Sequence, residues 1–439
     1  MASGNKGSQW HRDTSDRRRY LKTLGAIGLG GSTVLAGCTG DSGGESEEYE
    51  KAFSTVPTLE NDYWNAFKRG YSKATDAYGV STNIQANGGS TTDMLSQVDS
   101  AVTQGAQSII GTASKDSGVP SLAKKAKDAD IPFIEMWAMG KWYTPPDAGE
   151  QFVQYNIPEP VKTGKLIAKV LFEEMGGSGN FVHITGMLGT VGANGRNMGV
   201  EEAMKEYPDV NRLGKPLPGD WVRGKSRQAM QSFVSKFGDK IDGVYAQNDT
   251  EALGALTVCR ENDLDVPIVG YDGAKEAAKE IKAGRGKDEA RIVGSLTAHP
   301  PWQAGWAVAK TYDWIHGWRP KIPERMMFTG GTIIVKKPGE WKDKIDYTLT
   351  TPETYLDNVF GDGAMPYDWE KMSVKKAGKD SWDPQNKLVP IRKSDFYQLL
   401  WKEKNKPNSY SLPKEYGKSK QFDEVEQTYA DRYKSNPYE

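Results

Sequence analysis

The chain has 439 residues, a formal net charge of −1 and four histidines. This length exceeds what one hydrophobic core organises, so we expect two lobes and an appendage. The near-neutral charge argues against nucleic acid as a partner, because such binding needs a basic surface. The sequence shows no zinc-ligand spacing and no phosphate-binding glycine loop, and no Ser/His/Asp set stands out. We therefore predict no enzyme activity, no metal site and no cofactor.

The first element in chain order is an export signal. Residues 17–19 are arginines, residues 24–35 form an apolar run, and residues 35–38 read Leu-Ala-Gly-Cys. At about a dozen residues, the run is too short to span a ~30 Å hydrocarbon core. The arginine pair resembles a Tat signal and the final tetrad resembles a lipoprotein lipobox. The resemblance implies a signal peptide over residues 1–37 and a lipid on Cys38, which would anchor an extracytoplasmic protein to the membrane.

The mature chain then begins with a polar tether over residues 38–50. Loss of residues 1–37 removes six basic and two acidic residues and takes the formal charge from −1 to −5. From residue 51, short apolar runs alternate with amphipathic segments. The predicted strands are 52–56, 108–111, 131–136, 180–185, 243–246, 268–270 and 291–296. The predicted helices are 63–78, 117–129, 161–175, 196–207, 227–237, 250–262 and 274–283.

This alternation predicts an α/β fold with parallel sheets covered by helices on both faces. Two consecutive sets indicate two doubly wound lobes. Ligands of such sheets bind beyond the carboxyl ends of the strands, so we expect a site in a cleft between the lobes.

The last part of the chain, residues 352–439, is rich in Trp, Tyr, Lys and Pro. Helices are predicted at residues 396–401 and 422–433, and prolines interrupt the remainder. Exposed aromatic side chains at this density would be a liability, so we expect this extension to wrap over the lobes instead of forming an independent domain.

Four motifs then give the chain a family resemblance: NDYW at 61–64, GANGR at 192–196, AQNDTEALGA at 246–255 and VGYDG at 269–273. In this order and at these separations they resemble the type I periplasmic sugar-binding proteins, the group of the ribose- and galactose-binding proteins. The resemblance implies a monomer with an N-terminal lobe (51–155 and 300–331) and a C-terminal lobe (156–299 and 332–351). It also implies three hinge crossovers, near residues 155–156, 299 and 330–331.

The same resemblance implies a carbohydrate site, in which aromatic rings stack on C–H faces while amides and charged groups bind hydroxyls. The residues carried over are Asn61, Tyr63, Trp64, Trp137, Arg196, Trp221, Asn248, Tyr271, Asp272 and His299. Trp137 stands where family members often have an Asp-Arg pair, and His299 stands where glutamine is common. We therefore expect a monosaccharide or close polyol and name no particular sugar.

Structural alternatives stay open for these residues. Arg196 could pair with Glu201 or Glu202, Asp272 and Asn248 could be helix caps, and His299 could be a hinge residue. Three of the aromatic residues could be core residues, namely Tyr63, Trp64 and Trp221.

We predict the binding component of a carbohydrate ABC importer, which closes on its sugar and is recognised by a permease. The alternatives are a sugar sensor coupled to a receptor and an extracellular glycosidase. The glycosidase would need two cleft carboxylates at hydrolytic spacing.

Overall fold

A computed structural model describes residues 48–113, 115–284, 286, 289–363, 365–378, 381–395, 401, 405–434 and 436–437. The predicted signal peptide, Cys38 and most of the predicted tether lie outside the described residues, as do residues 396–400 of a predicted helix. The prediction of a tether as far as residue 50 is wrong at its end. Tyr49 is only 4% exposed and its hydroxyl lies 2.5 Å from Ser108 Oγ, because the ring packs into the apolar core of the first lobe.

The strands alternate with helices along most of the chain. The strands are β1 Lys51–Val56, β2 Ser81–Ala86, β3 Ser108–Gly111, β4 Phe133–Met136, β5 Phe152–Pro158, β6 Gly179–Thr185, β7 Val210–Arg212, β8 Leu217–Pro218, β9 Gly243–Ala246, β10 Pro267–Tyr271, β11 Arg291–Thr297, β12 Met326–Thr329, β13 Thr332–Val335, β14 Leu349–Thr350 and β15 Leu388–Pro390. The α-helices are α1 Asp62–Tyr78, α2 Thr91–Thr103, α3 Val119–Ala129, α4 Pro145–Ala148, α5 Pro160–Glu174, α6 Val191–Glu206, α7 Arg223–Phe237, α8 Asp249–Glu261, α9 Lys275–Ala283, α10 Pro300–Ile315, α11 Pro352–Phe360 and α12 Ser419–Arg432.

Two sheets organise the two lobes. The first has the order β15-β12-β5-β4-β3-β1-β2, and only the β12–β15 pair is antiparallel. The second has the order β14-β13-β11-β10-β9-β6-β7, with β8 also paired to β6 and only β11–β13 antiparallel. The predicted α/β fold with two doubly wound lobes is confirmed.

Three crossovers join the sheets. The first follows β5, which stays paired with β12 as far as Pro158, so the chain leaves the first sheet later than the expected 155–156. The second lies between β11 and α10, a helix that packs on α1 of the first lobe. The third is the Gly330–Gly331 pair between β12 and β13.

Helix α6 begins at Val191, five residues before the predicted start at Arg196. The glycines of the motif at 192–196 and Gly199 therefore lie inside this helix, where two of them serve helix packing. A Cβ at Gly195 would lie 2.6 Å from Pro160, and one at Gly199 would lie 2.3 Å from the carbonyl oxygen of Val161. Glycine is therefore required for α6 to pack closely on α5, although it lowers helix propensity.

The C-terminal extension packs on both lobes, as predicted. Strand β15 joins the first sheet, and Trp302 Nε1 of α10 donates to the carbonyl of Pro384 at 2.6 Å. Lys310 and Asp313 of α10 form a buried ion pair at 2.8 Å, and the Asp313 carboxylate also accepts a hydrogen bond from the amide of Val374 in the extension. Helix α11 packs instead on α9 of the second lobe. Among the described residues, no helix combines the length and apolarity needed to cross a bilayer.

Candidate ligand-binding site

On the first lobe, three side chains from distant segments meet beyond the ends of the strands. Trp137 directly follows β4, and its Nε1 donates to the hydroxyl of Tyr63 on α1 at 2.6 Å. The same hydroxyl donates to Oε1 of Gln303 on α10. Burial raises the pKa of Tyr63 well above its usual value, so its hydroxyl stays neutral.

On the second lobe, a cation lies among aromatic rings. The Arg196 guanidinium lies 3.5 Å from the ring centre of Tyr271 and 5.3 Å from that of Trp221. Its Nη1 donates to the main-chain oxygen of Gln247 at 2.5 Å. The contact with Gln247 and the stacking on Tyr271 orient the guanidinium, and they replace the predicted alternative of a pair with Glu201 or Glu202.

The two halves of the site face each other across the cleft. The Arg196 guanidinium of the second lobe lies 5.5 Å from the ring centre of Trp137 on the first. A second contact joins the lobes nearby, because Oδ2 of Asp62 at the start of α1 accepts the amide of Lys275 at the start of α9 (2.9 Å). The structure is therefore a closed one, with aromatic rings and a cation on opposite walls.

Asp272 follows β10 and has a left-handed backbone, with φ of 113°. Non-glycine residues in such conformations persist where the surroundings hold them, and they cluster at functional sites. Burial raises the pKa of the Asp272 carboxyl to about 7, opposed by the Arg196 charge and a hydrogen bond from Asn248. Asp272 is not the N-cap of α9, whose cap position is Ala274.

Trp221 depends on a glycine for its place in the site. A Cβ at Gly186 would lie 1.9–2.3 Å from three carbons of the Trp221 ring, so the indole lies directly on the backbone of Gly186. The Trp221 backbone is left-handed, with φ of 63°, and its amide donates to Oε1 of Glu251 at 2.9 Å.

Both predicted asparagines are helix caps. Asn61 accepts the amide of Trp64 at 2.9 Å, and Asn248 accepts the amide of Glu251 at 2.8 Å. Asn248 also reaches Asp272, so its capping and its place in the site are compatible. Trp64 is 8% exposed and packs edge-on against Tyr63 and Phe67, with ring centres 4.9 and 5.5 Å apart, which is the environment of a core residue.

His299 lies at the second crossover, directly before α10. Its Nε2 lies 2.9 Å from Thr332 Oγ1, and its backbone is left-handed, with φ of 53°. Burial lowers the pKa of His299 to about 3, so the ring is neutral. Since Thr332 begins the strand after the third crossover, the structure favours the hinge alternative for His299 over a ligand contact.

Sequence reasoning did not select two residues that support the second-lobe wall. Gln247 holds Arg196 through its carbonyl, and its Oε1 accepts the amide of Gly186 at 3.0 Å. Glu251 binds the amide of Trp221, and burial raises the pKa of its carboxyl to about 8. Both lie in the motif at 246–255, which is the signal that could have identified them.

Two further residues bear on the first-lobe wall. Gln303, which binds Tyr63, had no sequence signal. Asn156 was assigned to a hinge, yet it is fully buried beside Trp137, whose amide donates to its carbonyl at 3.3 Å. Neither atom of the Asn156 side-chain amide has a hydrogen-bond partner within the described part of the chain, and the same holds for Arg196 Nε.

Buried polar atoms without partners are costly unless a ligand satisfies them. Polar atoms next to aromatic faces suit a small molecule with apolar faces and a rim of hydroxyls. No cluster of three His, Cys, Asp or Glu side chains able to hold a metal occurs in the described ranges.

These features describe a two-lobed protein in which aromatic rings and a cation face each other between the lobes. The family model described as periplasmic binding protein domain matches residues 53–317, more than half of the chain, and the chain belongs to this family. It is a family of extracytoplasmic binding proteins, not of enzymes.

Relatives and solved structures agree with this family. The xylitol-binding protein of Mycolicibacterium smegmatis is 32% identical over 270 residues, which cover 60% of this chain and 72% of the relative. The ribose import binding protein of Haemophilus influenzae is 24% identical over 272 residues, covering 60% and 88%.

Among solved structures, a twin-arginine translocation pathway signal protein from Burkholderia phytofirmans has a TM-score of 0.63 at 23% identity, covering 73% of this chain and 95% of that one. An ABC transporter periplasmic solute binding protein from Actinobacillus succinogenes with bound D-allose has a TM-score of 0.59 at 21% identity, covering 66% and 99%. These likenesses confirm the type I periplasmic binding protein fold.

Proposed function

We propose that the protein is the substrate-binding component of a carbohydrate ABC importer and that it binds a monosaccharide or a close polyol between its lobes. The names of the relatives support this class, since they bind xylitol and ribose. The structural neighbours include a solute binding protein with D-allose and one with glycerol. No bond is made or broken, because the task is capture and delivery to a permease.

One observation carries the proposal. Within the described residues, the side-chain amide of Asn156 and Nε of Arg196 have no hydrogen-bond partner. The main chain of Asn156 accepts the Trp137 amide, and the Arg196 guanidinium faces the Trp137 ring from the other lobe. Sugar hydroxyls would satisfy these polar atoms, and the C–H face of the ring would pack on the aromatic walls. Asp272 would add a charge-assisted bond to a hydroxyl.

The test is a thermal-shift screen with D-ribose, D-xylose, xylitol, D-allose, D-galactose, myo-inositol and glycerol. A ligand at a hundred times its dissociation constant adds about 2.7 kcal/mol of stability, so a true ligand gives a clear rise in Tm. Asp272→Ala is the matched variant, because it should abolish the ligand-induced rise in Tm, measured against its own apo Tm. A screen in which no compound raises the wild-type Tm would refute the substrate class.

We also propose that export through the Tat pathway precedes lipid attachment at Cys38. The support is the paired arginines at positions 17 and 18 and the tetrad at 35–38. Cys38→Ala should release the protein from the membrane fraction. Replacing both Arg17 and Arg18 by lysine should stop export. Membrane retention of the Cys38→Ala protein would contradict the anchor, and export of the double lysine variant would contradict the Tat route.

A further inference from the structure

The turn that carries Asp272 has an unusual backbone. Asp272 has φ of 113° and the following Gly273 has φ of 71°. An aspartate in this conformation needs support from its surroundings, because the free chain would relax towards negative φ. The direction of the Asp272 carboxyl therefore depends on whatever holds the turn.

Three amides of the turn are bonded within the second lobe. The amide of Asp272 donates to Leu296 O at 2.7 Å, that of Gly273 to Ser295 Oγ at 3.1 Å, and that of Ala274 to Asp249 Oδ2 at 2.6 Å. These bonds fix the amide side of the turn. On its acceptor side, the carbonyl of Gly273 also takes a hydrogen bond.

That carbonyl is bound from outside the matched family domain. Tyr355 of α11, 1% exposed, donates its hydroxyl to Gly273 O at 2.7 Å. The hydroxyl also lies 3.4 Å from Thr297 Oγ1 at the end of β11. A Cβ at Gly273 would lie 2.3 Å from this hydroxyl, so the contact requires glycine at 273.

The same helix reaches the first lobe. Nη2 of Arg69 on α1 lies 3.4 Å from the carbonyl of Val359, and its guanidinium lies 5.0 Å from the ring centre of Phe360. On the other side, Lys275 Nζ lies 5.5 Å from that ring centre. Helix α11 is therefore held by both lobes of the closed structure while its tyrosine supports the turn.

We propose that Tyr355 is a positioning residue for ligand binding: it locks the Asp272–Gly273 turn, so that the extension presents the Asp272 carboxyl to the ligand. The inference rests on the proposed function, because it takes Asp272 as a ligand residue. Tyr355 lies outside residues 53–317, which the family model matches.

The experiment compares Tyr355→Phe with Tyr429→Phe. Tyr429 of α12 is also 1% exposed, and its hydroxyl lies 3.3 Å from Glu324 Oε1 on the first lobe, so it is a matched control. Amide hydrogen exchange of the full-length apo protein measures the stability of the turn without any ligand. Calorimetry then measures the affinity for xylitol and for D-ribose.

Tyr355→Phe should speed exchange at residues 272–274 by roughly two- to thirteenfold, as loss of one buried hydrogen bond implies, and weaken binding by a similar factor. Tyr429→Phe should change neither. Unchanged exchange at the turn, or faster exchange spread evenly over the second lobe, would overturn the proposal. So would faster exchange at the turn in a variant that binds sugar like wild type. If wild type bound neither xylitol nor D-ribose nor any compound of the screen, the proposed function would fail instead, and exchange alone would decide whether Tyr355 holds the turn.

Discussion

Adding one methyl group at Gly186 should weaken ligand binding without unfolding the protein. The alanine Cβ would lie 1.9 Å from the nearest carbon of the Trp221 ring, whereas ordinary contacts are 3.4–4 Å. The ring must therefore retreat by about 1.5 Å or more, which takes it away from the Arg196 guanidinium 5.3 Å from its centre. Trp221 is only partly buried, so it can move outward and the core need not change.

The magnitude follows from what the ring contributes. An aromatic contact of this kind is worth about 0.5–1.5 kcal/mol beyond area burial, which weakens Kd by roughly two- to thirteenfold. Trp221→Ala should weaken binding at least as much. In the double variant there is no indole to clash with the new methyl group. Gly186→Ala should therefore add little to the loss of binding free energy that Trp221→Ala causes, so the two effects should be non-additive.

Isothermal titration calorimetry with the sugar from the thermal-shift screen is the assay, because thirteen tryptophans would obscure a fluorescence change. Gly224→Ala is the control, since a Cβ at this exposed position of α7 meets nothing within 4 Å. Wild-type affinity for Gly186→Ala, or strict additivity in the double variant, would refute the packing of Trp221 on Gly186.

Three further predictions concern the cleft. Burial raises the pKa of Asp272 from 3.8 to about 7, so the free energy of unfolding of the apo protein should fall as pH rises from about 4 to 7. Asp272→Asn should make this fall smaller, as measured by urea denaturation at pH 5 and pH 8. The same pH dependence in wild type and variant would contradict the burial. Asp62→Ala removes the contact with the Lys275 amide. It should weaken ligand binding several-fold and widen the distance between the lobes of the apo protein, as measured with spin labels. Asp93 is a first-turn acid on α2, and Asp93→Ala should change neither quantity. Trp64→Ala should lower the Tm clearly and leave the ligand Kd close to wild type, because the ring lies in the core. An unchanged Tm with a weakened Kd in calorimetry would instead indicate that Trp64 contacts the ligand.

Much of the fold was predictable because its signals are local. Apolar runs and amphipathic periods predicted seven of the fifteen described strands and most of the described helices to within a few residues, and Asn248 before α8 was recognised as a possible cap. The early strand β2 and helix α2 were not predicted. The polar residues of β2 give no apolar run, because it is an edge strand with one exposed side.

The motifs alone determined the family and most of the second-lobe wall, since Arg196, Asn248, Tyr271 and Asp272 lie within short conspicuous strings. The tertiary structure decided what those strings could not. It brought Gln303 to Tyr63 across 240 residues, favoured the hinge alternative for His299 over a ligand contact, and supported the Asp272 turn with Tyr355. Such contacts depend on close backbone approach and positive φ, which arise only when distant segments pack together, so no local pattern encodes them.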